Sequence, residues 1–131
     1  MSQIQATITH IETIENLNIV KFNFSGHSLT MMSLGLSDDI QVGKEVLLSI
    51  KPTHIALGKT FSGQLSYSNQ IEAKISSCTH GKLLSSITLL IEDVLFESII
   101  TVESALAMDL NVDDNITMLI QASDLSIVEV L

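Results

Sequence analysis

The stretch Gln3-Ile4-Gln5-Ala6-Thr7-Ile8 returns as Gln70-Ile71-Glu72-Ala73-Lys74-Ile75, a shift of 67 positions. In both places apolar and polar residues alternate, the period of a strand with one buried face. Holding the shift sets Val20, Phe22 and Phe24 on Ile87, Leu89 and Ile91, so the inward positions of a second strand coincide too. Four extra residues around positions 92–96 would move the shift to 71 and bring Thr30-Met31-Met32-Ser33 onto Thr101-Val102-Glu103-Ser104. One residue fewer at the next turn gives 70, where Val42, Val46, Leu48 and Ile50 meet Val112, Ile116, Met118 and Ile120; Ile55 and Leu57 then meet Leu125 and Ile127. Agreement along the whole chain, with insertions only at turns, marks an internal repeat. Two units follow, residues 1–62 and 63–131, joined near 58–66.

Each unit carries the same order of elements. Strands are predicted over 4–14, 19–24, 28–31, 45–50 and 53–57, and again over 71–78, 84–91, 96–102, 115–121 and 124–130. Ser33 and Ser104 are plausible N-caps for a short helix between the third and fourth strands. Val42-Gly43-Lys44 and Asp113-Asp114-Asn115 supply turn residues. The fold class is therefore all-β: two tandem OB-like five-stranded barrels, each with one short helix. A unit so small buries little by itself, so pairing of the copies and oligomerisation are expected to complete the core.

Composition agrees and narrows the functions. Hydrophobic residues make up 46% and charged residues 16%, which suits a globular chain and not a disordered one. Six lysines, no arginine and fifteen acids give a net charge of −9. Nucleic acid and anionic membranes are poor partners for such a chain. The single cysteine, Cys78, has no internal disulfide partner, no signal peptide is evident, and apolar runs are strand-length, so the cytoplasm is the expected compartment.

Most candidate motifs fail on spacing. Gly58-Lys59-Thr60 lacks the glycine five positions earlier that a phosphate-binding loop needs, since Thr53 stands there. His10, His27, His54 and His80 are too far apart in sequence to form a close ligand pair. Ser25-Gly26-His27-Ser28 reads as a hairpin turn and not a nucleophile elbow. Asp38-Asp39 and Asp113-Asp114 read as solvated turns, and Met31 and Met32 as core filler. No acid, base or nucleophile is positioned by a motif, so no enzyme is expected. What remains is a T-x-x-S in each unit, Thr30 with Ser33 and Thr101 with Ser104, where a strand enters a helix. Hydroxyls and free amides there serve capping, and can also hold an anion without a full positive charge.

The run from Ile100-Thr101-Val102-Glu103-Ser104-Ala105 through Leu110 to Ile120-Gln121-Ala122-Ser123-Asp124-Leu125 closely resembles the Mop, TOBE-type molybdate-binding domain. Its pattern is I-T-x-x-S, L-x-L, then G-x-x-V-x-x-L-I-K-A-S-x-V. Ser66-Tyr67-Ser68-Asn69-Gln70 stands at that family's S-A-R-N strand, and Lys51-Pro52-Thr53-His54 at K-A-S-x in the looser first copy. Together the copies resemble a di-Mop chain. No helix-turn-helix or ATPase domain accompanies them, so the resemblance implies a free-standing intracellular protein that stores or buffers molybdate or tungstate. It further implies a homotrimer with anions bound at subunit interfaces by amides and hydroxyls, and no organic cofactor or metal.

Carried over by position, the resemblance places anion contacts at Ser66, Ser68, Thr101, Ser104, Gln121, Ala122 and Ser123, with Thr30, Ser33, Lys51 and Pro52 as first-copy equivalents. The family lysine is Gln121 here, its arginine is Ser68, and Pro52 lacks an amide donor. A second reading is a degenerate Mop assembly that has lost the anion and serves as an interaction or regulatory module. Charge divides unevenly: residues 1–65 hold four lysines and five acids, net −1, and residues 66–131 two lysines and ten acids, net −8. A surviving site is therefore expected to lean on the first copy and Lys51, or on dipoles alone.

Overall fold

A computed structural model describes residues 2–131. The first repeat forms β1 (Ser2–Ile14), β2 (Leu17–Phe24), β3 (His27–Leu34), β4 (Glu45–Ile50) and β5 (Ala56–Gly58). The second forms β6 (Asn69–His80), β7 (Leu84–Ile91), β8 (Val94–Thr101), the helix α1 (Val102–Ala107), β9 (Asn115–Ile120) and β10 (Ser126–Val130). A short 3-10 turn, Pro52–His54 or Ala122–Asp124, separates the last two strands of each repeat.

Both five-stranded sheets are antiparallel, and each borrows its last strand. The first has the order β10-β4-β1-β2-β3 and the second β5-β9-β6-β7-β8. The two closing strands expected inside each repeat are thus corrected: β5 pairs with β9, and β10 with β4. After β4 the chain turns at Pro52 and crosses over, and the first 3-10 turn lies against β8 while the second lies against β3. The long strands β1 and β6 carry matching bulges, between Ile8 and His10 and between Ile75 and Ser77. A bulge bends and twists a strand, which lets one half of β1 pair with β4 and the other with β2.

The register of the third strands also corrects the repeat alignment. Phe24 pairs with His27 and Ile91 with Val94 across two-residue turns, so no insertion lies near residues 92–96 and the shift stays 67 through β8. Ser25 and Gly26, at φ 48° and 86°, make the left-handed turn that matches strand twist. The bond from Gly35 N–H to the Asn16 carbonyl (3.0 Å) has its counterpart from Val102 N–H to the Leu83 carbonyl (2.9 Å), again 67 apart. Thr101 therefore corresponds to Leu34 and Ser104 to Ser37; Thr30 and Ser33 lie within β3. The alternation misled because Met31 has Ser98 as its true counterpart. That inward serine, fully buried, donates to the Ile55 carbonyl at 2.6 Å.

Only the second repeat has the expected helix. Its N-cap is Thr101, not Ser104. In the first repeat the connection to β4 is three residues shorter (35–44 against 102–114), and Gly35 takes φ +71° where α1 begins. A left-handed residue ends regular structure, and the shorter span leaves no room for two turns.

Inward residues of both repeats merge into one core. Phe22, Leu48, Ile50 and Phe96 are at most 1% exposed, as are Ile87, Leu89, Ile116 and Ile120. Phe24 meets Phe96 of the other repeat edge to face, with centroids 5.8 Å apart at 80°, a favoured aromatic geometry. Burying one such side chain contributes about 1.5–3 kcal/mol. The pairing of copies expected from size is what builds the core. No described helix is long and apolar enough to cross a membrane.

Candidate functional site

Thr101 and Ser104 form a closed pair at the start of α1. The Thr101 hydroxyl accepts the Ser104 N–H at 3.1 Å and donates to the Ser104 hydroxyl at 2.9 Å. The Ser104 O–H proton thereby remains available to an incoming acceptor. Both residues are exposed, and Glu103 in the same turn keeps the local charge negative.

The first-copy candidates sit differently. Thr30 is held through its backbone by Asn69, while the Ser33 hydroxyl donates to the Gly35 carbonyl at 3.4 Å. Ser33 lines a cleft of about 440 Å3 between β3 and the second 3-10 turn, shared with Ser37, Ser123 and Ser126. Lys51 and Gln121 each immediately precede a 3-10 turn. Lys51 shares a cleft of about 300 Å3 with Ser123, whereas Gln121 lines another of about 280 Å3 beside Tyr67 and Ile100. Ser66 and Ser68 flank Tyr67 on the exposed linker, where the Gln70 amide donates to the Leu65 and Tyr67 carbonyls at 3.3 and 2.8 Å. Ala122 and Ser123 belong to the second 3-10 turn. Within one chain, then, Lys51 meets Ser123 and Ser33 meets Ser123. Thr101 and Ser104 line none of these three clefts.

Charge is largely committed to structure. Lys59 is no phosphate-loop lysine: its ammonium donates to the carbonyls of Met108 (3.1 Å) and Asp109 (2.6 Å) and pairs with Asp114 at 3.2 Å. It caps the carboxyl end of α1, where a cation is favoured. Asp114, expected as a solvated turn residue, accepts the Asn111 N–H at 2.9 Å. That bond first, and Lys59 after it, hold its carboxyl below the usual carboxylate range. Among the described residues no three His, Cys, Asp or Glu side chains are grouped to hold a metal ion.

Sequence reasoning did not assign the roles of four residues. Asn69 was quoted only as the last letter of S-A-R-N, yet it is 1% exposed and joins the two sheets. Ser49 interrupts an apolar run and is the one polar residue buried on β4. His54 and Asp124 occupy equivalent places, 70 apart, and approach to 3.5 Å; only knowledge of the strand exchange could have paired them.

Two OB-like barrels with exchanged closing strands, and a hydroxyl-capped helix after the third strand, define the class. Residues 65–127, within the second repeat, match the TOBE domain family, in agreement with the resemblance in its sequence. No curated protein sequence is significantly similar to the chain. Among solved structures it is similar to the cytoplasmic molybdate-binding protein ModG with molybdate bound, at 19% identity and a TM-score of 0.89, over 95% of this chain and 93% of that one. Both repeats and their arrangement are therefore shared in fold.

Proposed function

We propose that this protein binds molybdate or tungstate in the cytoplasm and acts in storage or homeostasis of the oxyanion. The observation that carries the reading is the TOBE match over the second repeat, set within a two-barrel fold shared end to end with a protein solved with molybdate bound. In this reading the chain forms a homotrimer with anions at subunit interfaces. Donors come from Ser66 and Ser68 on the linker, Thr101 and Ser104 at α1, and Gln121, Ala122 and Ser123 at the second 3-10 turn. Lys51, Thr30 and Ser33 serve from the first repeat. Amides and hydroxyls suit this task, because oriented dipoles hold a dianion without adding cations.

Calorimetry of the oligomer with molybdate, tungstate and sulfate is the test. Saturable heat with molybdate or tungstate is expected, and at a hundredfold excess over Kd a gain of about 2.7 kcal/mol in stability. Ser104→Ala should weaken binding. No heat and no rise in melting temperature with any anion would overturn the reading, and a monomer in light scattering at micromolar concentration would overturn the interface. Leu34 at the place of Thr101, together with Gln121, favours a second reading in which the assembly has lost the anion and serves as an interaction module. Its mark is a stable trimer indifferent to oxyanions.

A further inference from the structure

The cleft of about 300 Å3 at the junction of the repeats is unlike the other two in its donors. Its walls are the two 3-10 turns, which bring Lys51 and His54 from one repeat to Ser123 and Asp124 of the other. Ser49 on β4 and Ser126 and Val128 on β10 complete it, and the two serines are directly opposed across the exchanged strand pair. Opposed residues on neighbouring strands present their side chains to the same face. The Ser49 residue is only 3% exposed, and its hydroxyl has no hydrogen-bond partner among the described residues. A buried hydroxyl left unpaired costs about 1–3 kcal/mol, so a ligand that accepts its proton is favoured.

We propose that this cleft is an oxyanion site complete within one chain, in which the Ser49, Ser123 and Ser126 hydroxyls and the Lys51 ammonium hold a small tetrahedral oxyanion. Asp124 opposes an anion, but its carboxylate faces His54 at 3.5 Å, and Lys51 is the lysine that lines the cleft. Strand exchange makes the site: without β10 on β4, neither Ser126 nor Ser123 would reach Ser49. The ligand class rests on the oxyanion reading above. The position is its own, because Ser49, His54 and Ser126 are not among the interface residues, although Lys51 and Ser123 are shared with them. Leu119 occupies the place of Ser49 in the second repeat, so the fold has this site once and not twice.

The test compares full-length wild type with Ser49→Leu, a residue the fold already carries at the equivalent position, and with Ser49→Ala. Molybdate, tungstate and phosphate are titrated by calorimetry, and the ring signals of His54 are followed by NMR. The expected result is movement of the His54 signals on adding anion, loss of one anion per chain in Ser49→Leu, and affinity for that anion lower by about fivefold in Ser49→Ala. Ser104→Ala should leave the His54 response in place. Wild-type heat with unmoved His54 signals, or unchanged stoichiometry in Ser49→Leu, would overturn the site and leave the interface reading standing. No heat from the wild type with any of the three anions would overturn both.

Discussion

The side-chain amide of Asn69 grips the backbone of Thr30 on both sides: the Thr30 N–H donates to Asn69 Oδ1 at 2.7 Å, and Asn69 Nδ2 donates to the Thr30 carbonyl at 2.9 Å. β3 is the outer strand of its sheet, so these are groups that no further strand would pair. Asn69 opens β6, so the contact ties the second repeat to the edge of the first. The counterpart is weaker, since Ser2 stands at the place of Asn69 and only accepts the Glu97 N–H at 3.3 Å.

Replacing Asn69 by Ala should therefore destabilise the fold by about 1–3 kcal/mol, the cost of leaving a buried backbone pair unmet. Asn69→Asp should cost more, because a buried carboxylate faces the Thr30 carbonyl without a donor. Urea unfolding measures both. Equal stability of Asn69→Ala and wild type would contradict the role.

Exchange of β5 and β10 predicts how the chain behaves when cut. Phe61 and Leu65, 41% and 42% exposed, offer protease sites in the linker. A chain nicked there should separate into two fragments under denaturing conditions yet elute as one species in native gel filtration, since each fragment supplies a strand to the other's sheet. Fragments that part without denaturant would contradict the exchange.

Phe96→Ala should cost about 3–5 kcal/mol, a large share of the stability of a small protein. Because Phe96 packs on Phe24 across the repeats, both barrels should melt in a single transition at a lower temperature. Calorimetry resolving two separate transitions in the variant would show independent cores.

Acid should weaken the clamp at the end of α1. The Asn111 N–H, then Lys59, lower the Asp114 carboxyl in the folded state. A lowered folded value means the stabilisation is present above the unfolded value of about 4 and is lost as pH falls through the folded one. As pH falls below about 4 the wild type should thus lose more stability than Asp114→Asn. Parallel pH curves for the two would remove Asp114 from the account.

The strand-to-helix junction was legible in the sequence, but only in part by position. Thr101 and Ser104 were found because a strand-to-helix junction has a recognisable spacing, and they do form a cap. Thr30 and Ser33 were matched to them by letter, whereas backbone register aligns Leu34 and Ser37 instead. A buried serine at 98, paid for by the Ile55 carbonyl, had broken the apolar pattern that register would otherwise follow.

The sequence by itself determined a repeat of two all-β units, the inward face of the first, second and fourth strands, and the linker between them; of the two methionines read as core filler on the third strand, Met31 is buried and Met32 is 43% exposed. Alternation with period two states which face of a strand is buried, and burial of apolar area is what that pattern records. It does not state which edge a strand joins, because backbone hydrogen bonds are the same for every partner. Only the tertiary structure decided that β5 and β10 change places, that one repeat keeps a helix, and that Ser49, His54 and Asp124 meet in one cleft.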